Sequence, residues 1–165
     1  MNKMELIRHG WACAYEKEDW HPPLRDALNG VTAEQASWKP EGEAVNSIWE
    51  NVNHLIFYKE RFLKRLTGEE TPESYPKDVT NDDTFAVPDP SEEAWAASVS
   101  RLAAVHGEIR SLLEKYDKKD FERQLPTHPL GTWAFSLIMH DSYHTGQIIQ
   151  LRKLQGSWPS RRSFE

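Results

Sequence analysis

Three histidines are the residues of this sequence whose spacing is best suited to chemistry. His140 and His144 are four residues apart in the run His-Asp-Ser-Tyr-His, and His54 lies far upstream in Val-Asn-His-Leu. Residues four apart on a helix project from one face about a turn apart, so two imidazoles there can bind one metal ion. A third imidazole from a second helix leaves one coordination position open, which is typical of catalytic zinc sites rather than structural ones.

The neighbours of these histidines give weaker indications of catalytic groups. Asp141 follows His140 directly, and at that offset its side chain points about 100° away around the helix. The sequence therefore lacks the His-Glu-x-x-His motif of zinc proteases, and no general base is identified. Glu50, Gln147 and Tyr143 are candidates because each lies within four residues of a histidine. For Glu50 we favour a helix cap, and for Tyr143 the competing interpretation is core packing.

A metal-free interpretation of the three histidines also fits the pattern. Apolar residues precede His140 and follow His144, so the helix that carries them is predicted to be largely buried. A buried neutral imidazole needs a partner for each ring nitrogen, and tyrosine, glutamine or glutamate neighbours can supply them. Cys13 is either a soft metal ligand or, as is usual for one cysteine, a small buried hydrophobe. Surface or packing roles are predicted for the remaining histidines, His9, His21, His106 and His128.

Composition limits the class of protein. The 165 residues suit one domain, predicted to span residues 1–165. The net charge is −6 and no basic block precedes Arg161-Arg162, which argues against nucleic acid as a partner. The single cysteine forms no disulfide within the chain. The N-terminus lacks the apolar core of a signal peptide and no apolar run has membrane-spanning length, so we expect a cytoplasmic protein with no membrane partner.

Helical periodicity without a strand pattern predicts an all-α fold. Ser47 and Glu50 fit a capping box at the start of the second long helix, and Gly68 fits its C-terminal cap. Asp89, followed by proline, is predicted to cap the third. The four long helices are predicted near residues 3–19, 47–68, 89–116 and 131–156, with short helical turns at residues 24–28 and after Thr32.

The connection between the second and third long helices, residues 69–88, is unusually long for a compact domain. If those helices run parallel, the chain must return along a helix of about 33 Å. Twenty extended residues reach more than about 60 Å, so the length is sufficient. The sequence thus favours a four-helix bundle with a long crossover between helices 2 and 3. The alternative is that residues 69–88 form a flexible insertion in an up-down-up-down bundle.

Several runs of sequence, taken together with this crossover, resemble a known family. They are Ser47-Ile48-Trp49-Glu50, Asn53-His54-Leu55, His140-Asp141-Ser142-Tyr143-His144-Thr145-Gly146-Gln147-Ile148 and, in the first-helix region, Trp20-His21-Pro22-Pro23-Leu24. These runs are similar to those of the DinB/YfiT-like superfamily of metal-dependent enzymes. The resemblance covers nearly the whole chain.

The resemblance implies a four-helix bundle of up-down-down-up topology. It also implies a divalent metal, zinc or nickel, held by His54, His140 and His144, and a homodimer acting on a small-molecule substrate. Characterised relatives attach low-molecular-weight thiols such as bacillithiol or mycothiol to small electrophiles, and one is an isomerase that uses mycothiol. We therefore expect a hydrolase or thiol S-transferase in which the metal activates water or a thiol cosubstrate. The alternatives are a non-catalytic metal-binding stress-response bundle and a metal-free dimerisation module.

Overall fold

Six α-helices, four of them long, account for most of the chain that the structure describes. The structure is a computed structural model that describes residues 1–42, 44–71 and 78–160. These ranges contain no strand beyond an isolated bridge between Gln124 and Pro129, so the all-α prediction is confirmed. The helices are α1 (Lys3–Tyr15), α2 (Leu24–Leu28), α3 (Ala33–Ser37), α4 (Ile48–Thr67), α5 (Glu92–Lys115) and α6 (Leu130–Leu154), with 3₁₀ turns at Asp82–Phe85 and Asp120–Glu122.

The ends of α3 and α4 follow the cap signals of the sequence. The Ser47 hydroxyl accepts a hydrogen bond from the Glu50 N–H at 3.1 Å, and the Glu50 carboxylate accepts one from the Ser47 N–H at 2.6 Å. Thr32 and Gln35 form the same reciprocal pair at the start of α3. At the end of α4, Gly68 has a φ of 81°, a conformation that residues with a Cβ rarely adopt. Local sequence therefore determines both helix starts.

Two predicted boundaries are wrong. The first helix ends at Tyr15 rather than near Asp19, because the chain turns after α1 and Asp19 lies beside it again. The N-terminal cap of α5 is Ser91 rather than Asp89. The Asp89 carboxylate instead accepts a hydrogen bond from the Ser91 N–H at 3.0 Å. Both residue types are good caps, so the sequence alone did not distinguish them.

The four long helices bury two apolar clusters between them. α4 packs against α5 and α6, and α1 also packs against α5 and α6. One cluster includes Trp49, Leu55 and Leu102 together with α2 and α3. The other includes Trp11 and Phe62. Burying each such side chain contributes about 1.5–3 kcal/mol, which fixes the helices that carry the three histidines. No helix in the described ranges is both long and apolar enough for a membrane span.

Side-chain contacts relate positions along the long helices. Trp49, near the start of α4, donates a hydrogen bond to Ser98, near the start of α5, at 3.0 Å. The Arg65 guanidinium, near the end of α4, lies 4.0 Å from the ring centre of Trp133, near the start of α6. The start of α4 therefore lies beside the start of α5, and its end beside the start of α6. Residues 72–77 of the predicted crossover and the arginines of the C-terminal tail lie outside the described residues.

Candidate metal centre

The three histidines singled out by the sequence come together between α4 and α6. The Nε2 atom of His140 lies 2.9 Å from Nε2 of His54 and 3.1 Å from Nε2 of His144. Zinc–nitrogen bonds of about 2.0–2.1 Å in a tetrahedral site separate the ligand nitrogens by about 3.3 Å. We call these residues the histidine cluster. Its spacing is compatible with a shared metal ion.

A hydroxyl fixes the tautomer of His54. Nδ1 of His54 lies 2.6 Å from Oγ1 of Thr84. The Thr84 hydroxyl donates its own proton to the backbone carbonyl of Asn81, also at 2.6 Å. It therefore accepts from His54, which places the imidazole proton on Nδ1. The lone pair on Nε2 of His54 consequently points into the cluster.

The side-chain amide of Asn51 fixes the tautomer of His144. Nδ1 of His144 lies 2.7 Å from Oδ1 of Asn51, and Nδ2 of Asn51 donates to the Ser47 carbonyl at 2.8 Å. That second bond orients the amide so that its oxygen faces the imidazole. Asn51 is only 1% exposed. Histidine ligands in metal sites usually donate their second N–H to such a partner, and the interaction fixes both tautomer and ring orientation.

Three converging nitrogens are poorly accommodated without a cation. Two lone pairs face Nε2 of His140, and a proton there can bond to only one of them at a time. Nδ1 of His140 is buried and has no hydrogen-bond partner among the residues that the structure describes. Burial lowers the pKa of His54 to about 4 and that of His140 to about 3, with the neighbouring imidazoles adding to both shifts. At neutral pH the imidazoles are therefore unprotonated, as metal ligands must be.

Aromatic rings enclose the cluster on the side of the α4–α5 connection. The Phe85 ring stacks on His54 with ring centres 4.0 Å apart and planes 13° apart. The Tyr58 ring meets His140 edge-on at 5.4 Å, and its hydroxyl donates to the Asn81 side chain at 3.1 Å. Phe85 and Thr84 both belong to the 3₁₀ turn of the connection. The connection therefore contributes to the environment of the cluster.

The weaker catalytic candidates occupy two different settings. Both carboxylate oxygens of Glu50 are engaged, one by the Ser47 N–H and the other by Lys39 at 2.6 Å. This arrangement matches the favoured cap interpretation. Gln147 donates from its amide nitrogen to the Tyr143 hydroxyl at 3.1 Å, and its side chain also interacts with His144, which partly opposes the lowering of the pKa of that imidazole by burial. Tyr143 is 64% exposed, so core packing does not describe it.

A groove of about 490 Å³ adjoins the histidine cluster. Its lining includes Asn51, Tyr143 and Gln147. Asn51 bonds to His144, and the Tyr143 ring lies 5.0 Å from the same imidazole. The volume is within the range of about 300–1,000 Å³ that is usual for small-molecule sites. The cluster thus has a mixed apolar and polar space next to it.

Comparison with known proteins identifies the family. The model of the DinB superfamily matches residues 22–148, which contain the whole histidine cluster. The chain belongs to the DinB superfamily. No curated protein and no solved structure matches it. The resemblance inferred from the sequence is therefore confirmed. This DinB-superfamily chain also contains a histidine cluster that is compatible with a metal site.

A buried group of polar side chains, formed by Lys59, Asp141 and His106, lies next to the histidine cluster of this DinB-superfamily chain. Nζ of Lys59 lies 2.5 Å from Oδ2 of Asp141, and both side chains are 0% exposed. Nζ also lies 3.2 Å from Nδ1 of His106 and 4.4 Å from the ring centre of Trp11. Burial lowers the pKa of Lys59 and raises the pKa of Asp141, while the attraction between the two opposes both shifts. Asp141 thus points away from the histidine cluster, as its offset from His140 predicts.

Sequence reasoning did not identify several residues that support the centre. Asn51 offered a signal, since it lies three residues before His54 and hence on nearly the same helix face. Thr84 offered none, because it comes from the connection and reaches the centre only through the fold. Lys59 resembled an ordinary solvated lysine in the sequence. His106 is a packing residue as predicted, stacked between Trp11 and Tyr15.

Proposed function

We propose that this protein is a metal-dependent enzyme whose divalent ion, zinc or nickel, is bound by His54, His140 and His144. The observation that supports the proposal most directly is the convergence of three Nε2 atoms, with two Nδ1–H groups held by Thr84 and Asn51. An ion held by three imidazoles supplies an open position at which water or a thiol becomes nucleophilic near neutral pH.

The groove beside His144 is the proposed substrate site. Its apolar surface suits the body of a small molecule, and its few polar groups suit orientation. The Tyr143 hydroxyl and the Gln147 amide line the groove and can form hydrogen bonds to a substrate heteroatom. Asn51 holds the imidazole of His144 in place while substrate binds. The reaction we propose is hydrolysis, or transfer of a low-molecular-weight thiol to a small electrophile.

Metal content tests the first half of the proposal. Tag-free wild-type protein should contain one zinc or nickel ion per chain more than His144→Ala when both are quantified by plasma mass spectrometry. His144→Ala should retain its helical circular dichroism. His128→Ala is the matched control, because His128 lies exposed in the loop before α6 and outside the cluster. Equal metal content in His144→Ala and wild type would show that the ligand assignment is wrong.

Activity tests the second half. Metal-loaded protein should be assayed with a panel of thiols against a chlorinated aromatic or an epoxide, and with a panel of esters for hydrolysis. Turnover should require metal, and Tyr143→Phe and Gln147→Ala should change it while leaving metal content intact. Bound metal without turnover of any thiol or ester would instead favour a non-catalytic metal-binding bundle. In that case, a chelator should mainly lower the melting temperature.

We also propose that the four long helices follow the up-down-down-up order implied by the resemblance. The contacts between the starts of α4 and α5 support a parallel pair, and the contact between Arg65 and Trp133 supports an antiparallel α4 and α6. Arg8 of α1 donates to the carbonyl groups of Leu113 and Tyr116 at the end of α5, which supports an antiparallel α1 and α5.

A homodimer is proposed from an exposed apolar face. Phe135, Met139 and Tyr143 lie four residues apart along α6 and are 57%, 57% and 64% exposed. Leu6, on the neighbouring α1, is also 57% exposed. Such a row on a soluble surface is typical of a protein contact, and the resemblance implies that the partner is a second copy. Light scattering after size-exclusion chromatography should give twice the chain mass, and Met139→Glu should reduce it to one. A monomeric wild type would contradict the proposal.

A further inference from the structure

A second group of possible metal ligands lies at the end of α1, outside the family match. His9 and Cys13 are four residues apart on α1, and Asp19 comes from the segment that follows the helix. All three belong to residues 1–21, which precede the part of the chain that matches the DinB superfamily. None of the three contributes to the histidine cluster or to the groove. Their juxtaposition therefore needs an explanation of its own.

Three atoms of this group form a nearly equilateral triangle. Nε2 of His9 lies 3.6 Å from Sγ of Cys13, Sγ of Cys13 lies 3.8 Å from Oδ2 of Asp19, and Nε2 of His9 lies 3.8 Å from the same Oδ2. The Cys13 thiol donates a weak hydrogen bond to Asp19 and has a second weak contact with His9. The contact of 3.8 Å between His9 and Asp19 is too long for a hydrogen bond, so weak contacts of sulfur are what connect the three groups in the absence of an ion.

The same spacing fits a tetrahedral ion. Zinc bonds of about 2.3 Å to sulfur and about 2.0–2.2 Å to nitrogen or oxygen separate neighbouring ligand atoms by about 3.4–3.6 Å. The observed triangle needs to contract by only a few tenths of an ångström to meet those values. A thiolate, an imidazole and a carboxylate together also carry two negative charges, which balance a divalent cation. Access requires no opening of the helices, because the side chains of His9 and Asp19 are 45% and 47% exposed.

We propose that His9, Cys13 and Asp19 form a second, surface site for a thiophilic divalent cation such as zinc. The ion joins the last turns of α1 to the segment leading to α2, so binding closes residues 9–19 into a loop. On binding, the Cys13 thiol releases its proton to solvent and the thiolate becomes the ligand. Burial and the neighbouring Asp19 carboxylate raise the pKa of the Cys13 thiol, so a cation is needed to stabilise its thiolate near neutral pH.

Cobalt absorption separates this site from the histidine cluster. A thiolate bound to Co²⁺ gives an intense charge-transfer absorption in the near ultraviolet, whereas a site with only imidazole ligands gives none. Metal-free, tag-free His144→Ala protein, in which the histidine cluster is disabled, should be titrated with Co²⁺. The expected result is a thiolate charge-transfer band, with the visible absorption of a tetrahedral site, that saturates at one ion per chain.

Variants in the same His144→Ala background identify the ligands. Adding Cys13→Ser should abolish the band, and adding Asp19→Asn should weaken cobalt binding by at least about tenfold. His21→Ala is the matched control, because His21 lies in the same segment but its imidazole contacts the Pro22 carbonyl. That variant should bind cobalt as tightly as its parent. A folded His144→Ala protein with no thiolate band at saturating Co²⁺, or a band that survives Cys13→Ser, would overturn the proposal.

A second measurement covers the case in which His144→Ala does not fold. Wild-type protein and Cys13→Ser are loaded with zinc, desalted and quantified by plasma mass spectrometry. The proposal expects one zinc ion fewer per chain in Cys13→Ser than in wild type. Equal zinc content would overturn it. Because Cys13→Ser leaves the histidine cluster intact, this outcome is independent of whether the proposed enzymatic function is correct.

Discussion

The hydrogen bond that Asn51 accepts from His144 gives the sharpest prediction about the proposed metal centre. Asn51→Ala removes the side chain that accepts a hydrogen bond of 2.7 Å from Nδ1–H of His144. Asn51 is only 1% exposed. Loss of such an outer partner lowers metal affinity by about 10–100-fold. Because Asn51 also borders the groove, water can replace part of the lost interaction. We therefore expect a loss near the middle of that range, about 30-fold, which corresponds to about 2 kcal/mol.

Zinc affinity measured by competition with a chromophoric chelator tests this prediction. Gln150→Ala is the matched control, because Gln150 lines the same groove but lies about two helical turns after His144 on α6. Its affinity should stay within about threefold of wild type, since it lacks a role in holding an imidazole. Asn51→Asp keeps an oxygen acceptor and should recover most of the affinity. The reasoning is refuted if Asn51→Ala binds zinc as tightly as wild type, or if Gln150→Ala weakens binding equally.

Three further predictions concern stability, measured by urea unfolding of the metal-free protein. Lys59→Met should cost about 3–5 kcal/mol because it strands the buried Asp141 carboxylate, whereas the double variant with Asp141→Leu should recover most of that loss; equal losses would contradict the pairing. Gly131→Ala would place a Cβ in steric overlap with the Phe121 ring and should cost about 1–3 kcal/mol. Gly107→Ala, where no atom of the described residues lies close to the added Cβ, should be neutral or stabilising; similar effects of the two substitutions would refute the packing argument. In the folded protein the pKa values of His54 and His140 lie below the ordinary 6.5, so as the pH falls the unfolded chain binds protons before the folded chain does. The free energy of unfolding should therefore decrease as the pH drops from about 6.5 to about 4. A free energy that does not change with pH over this range would contradict the burial of these imidazoles.

The sequence was most informative where local chemistry determines the structure. The capping box of Ser47 and Glu50 and the glycine cap at Gly68 predicted both ends of α4. A four-residue spacing was sufficient to place His140 and His144 on one face, since helix geometry alone determines that relation. Where two good caps stood two residues apart, as at Asp89 and Ser91, local chemistry did not select between them.

Residues that meet through the fold were much harder to predict. Thr84 reaches His54 from a connection whose conformation is not encoded by any periodic pattern. Lys59 of α4 contacts Asp141 of α6, although the two residues are 82 positions apart in the chain. A lysine in an amphipathic helix is normally solvated, so its full burial depends on a partner that no local rule specifies. Such long-range pairings follow from packing and not from the periodicity of a single segment.

The buried pair of Lys59 and Asp141 also has a consequence for how the centre can change. Asp141 is adjacent to His140 of the histidine cluster, so the pair fixes the rotation of α6 about its own axis relative to α4. Tyr143 lies about 160° from Asp141 around that helix and faces the groove instead. The buried ion pair and the groove therefore lie on opposite sides of one helix. Substitutions can change the shape of the groove while the orientation of the three imidazoles stays the same.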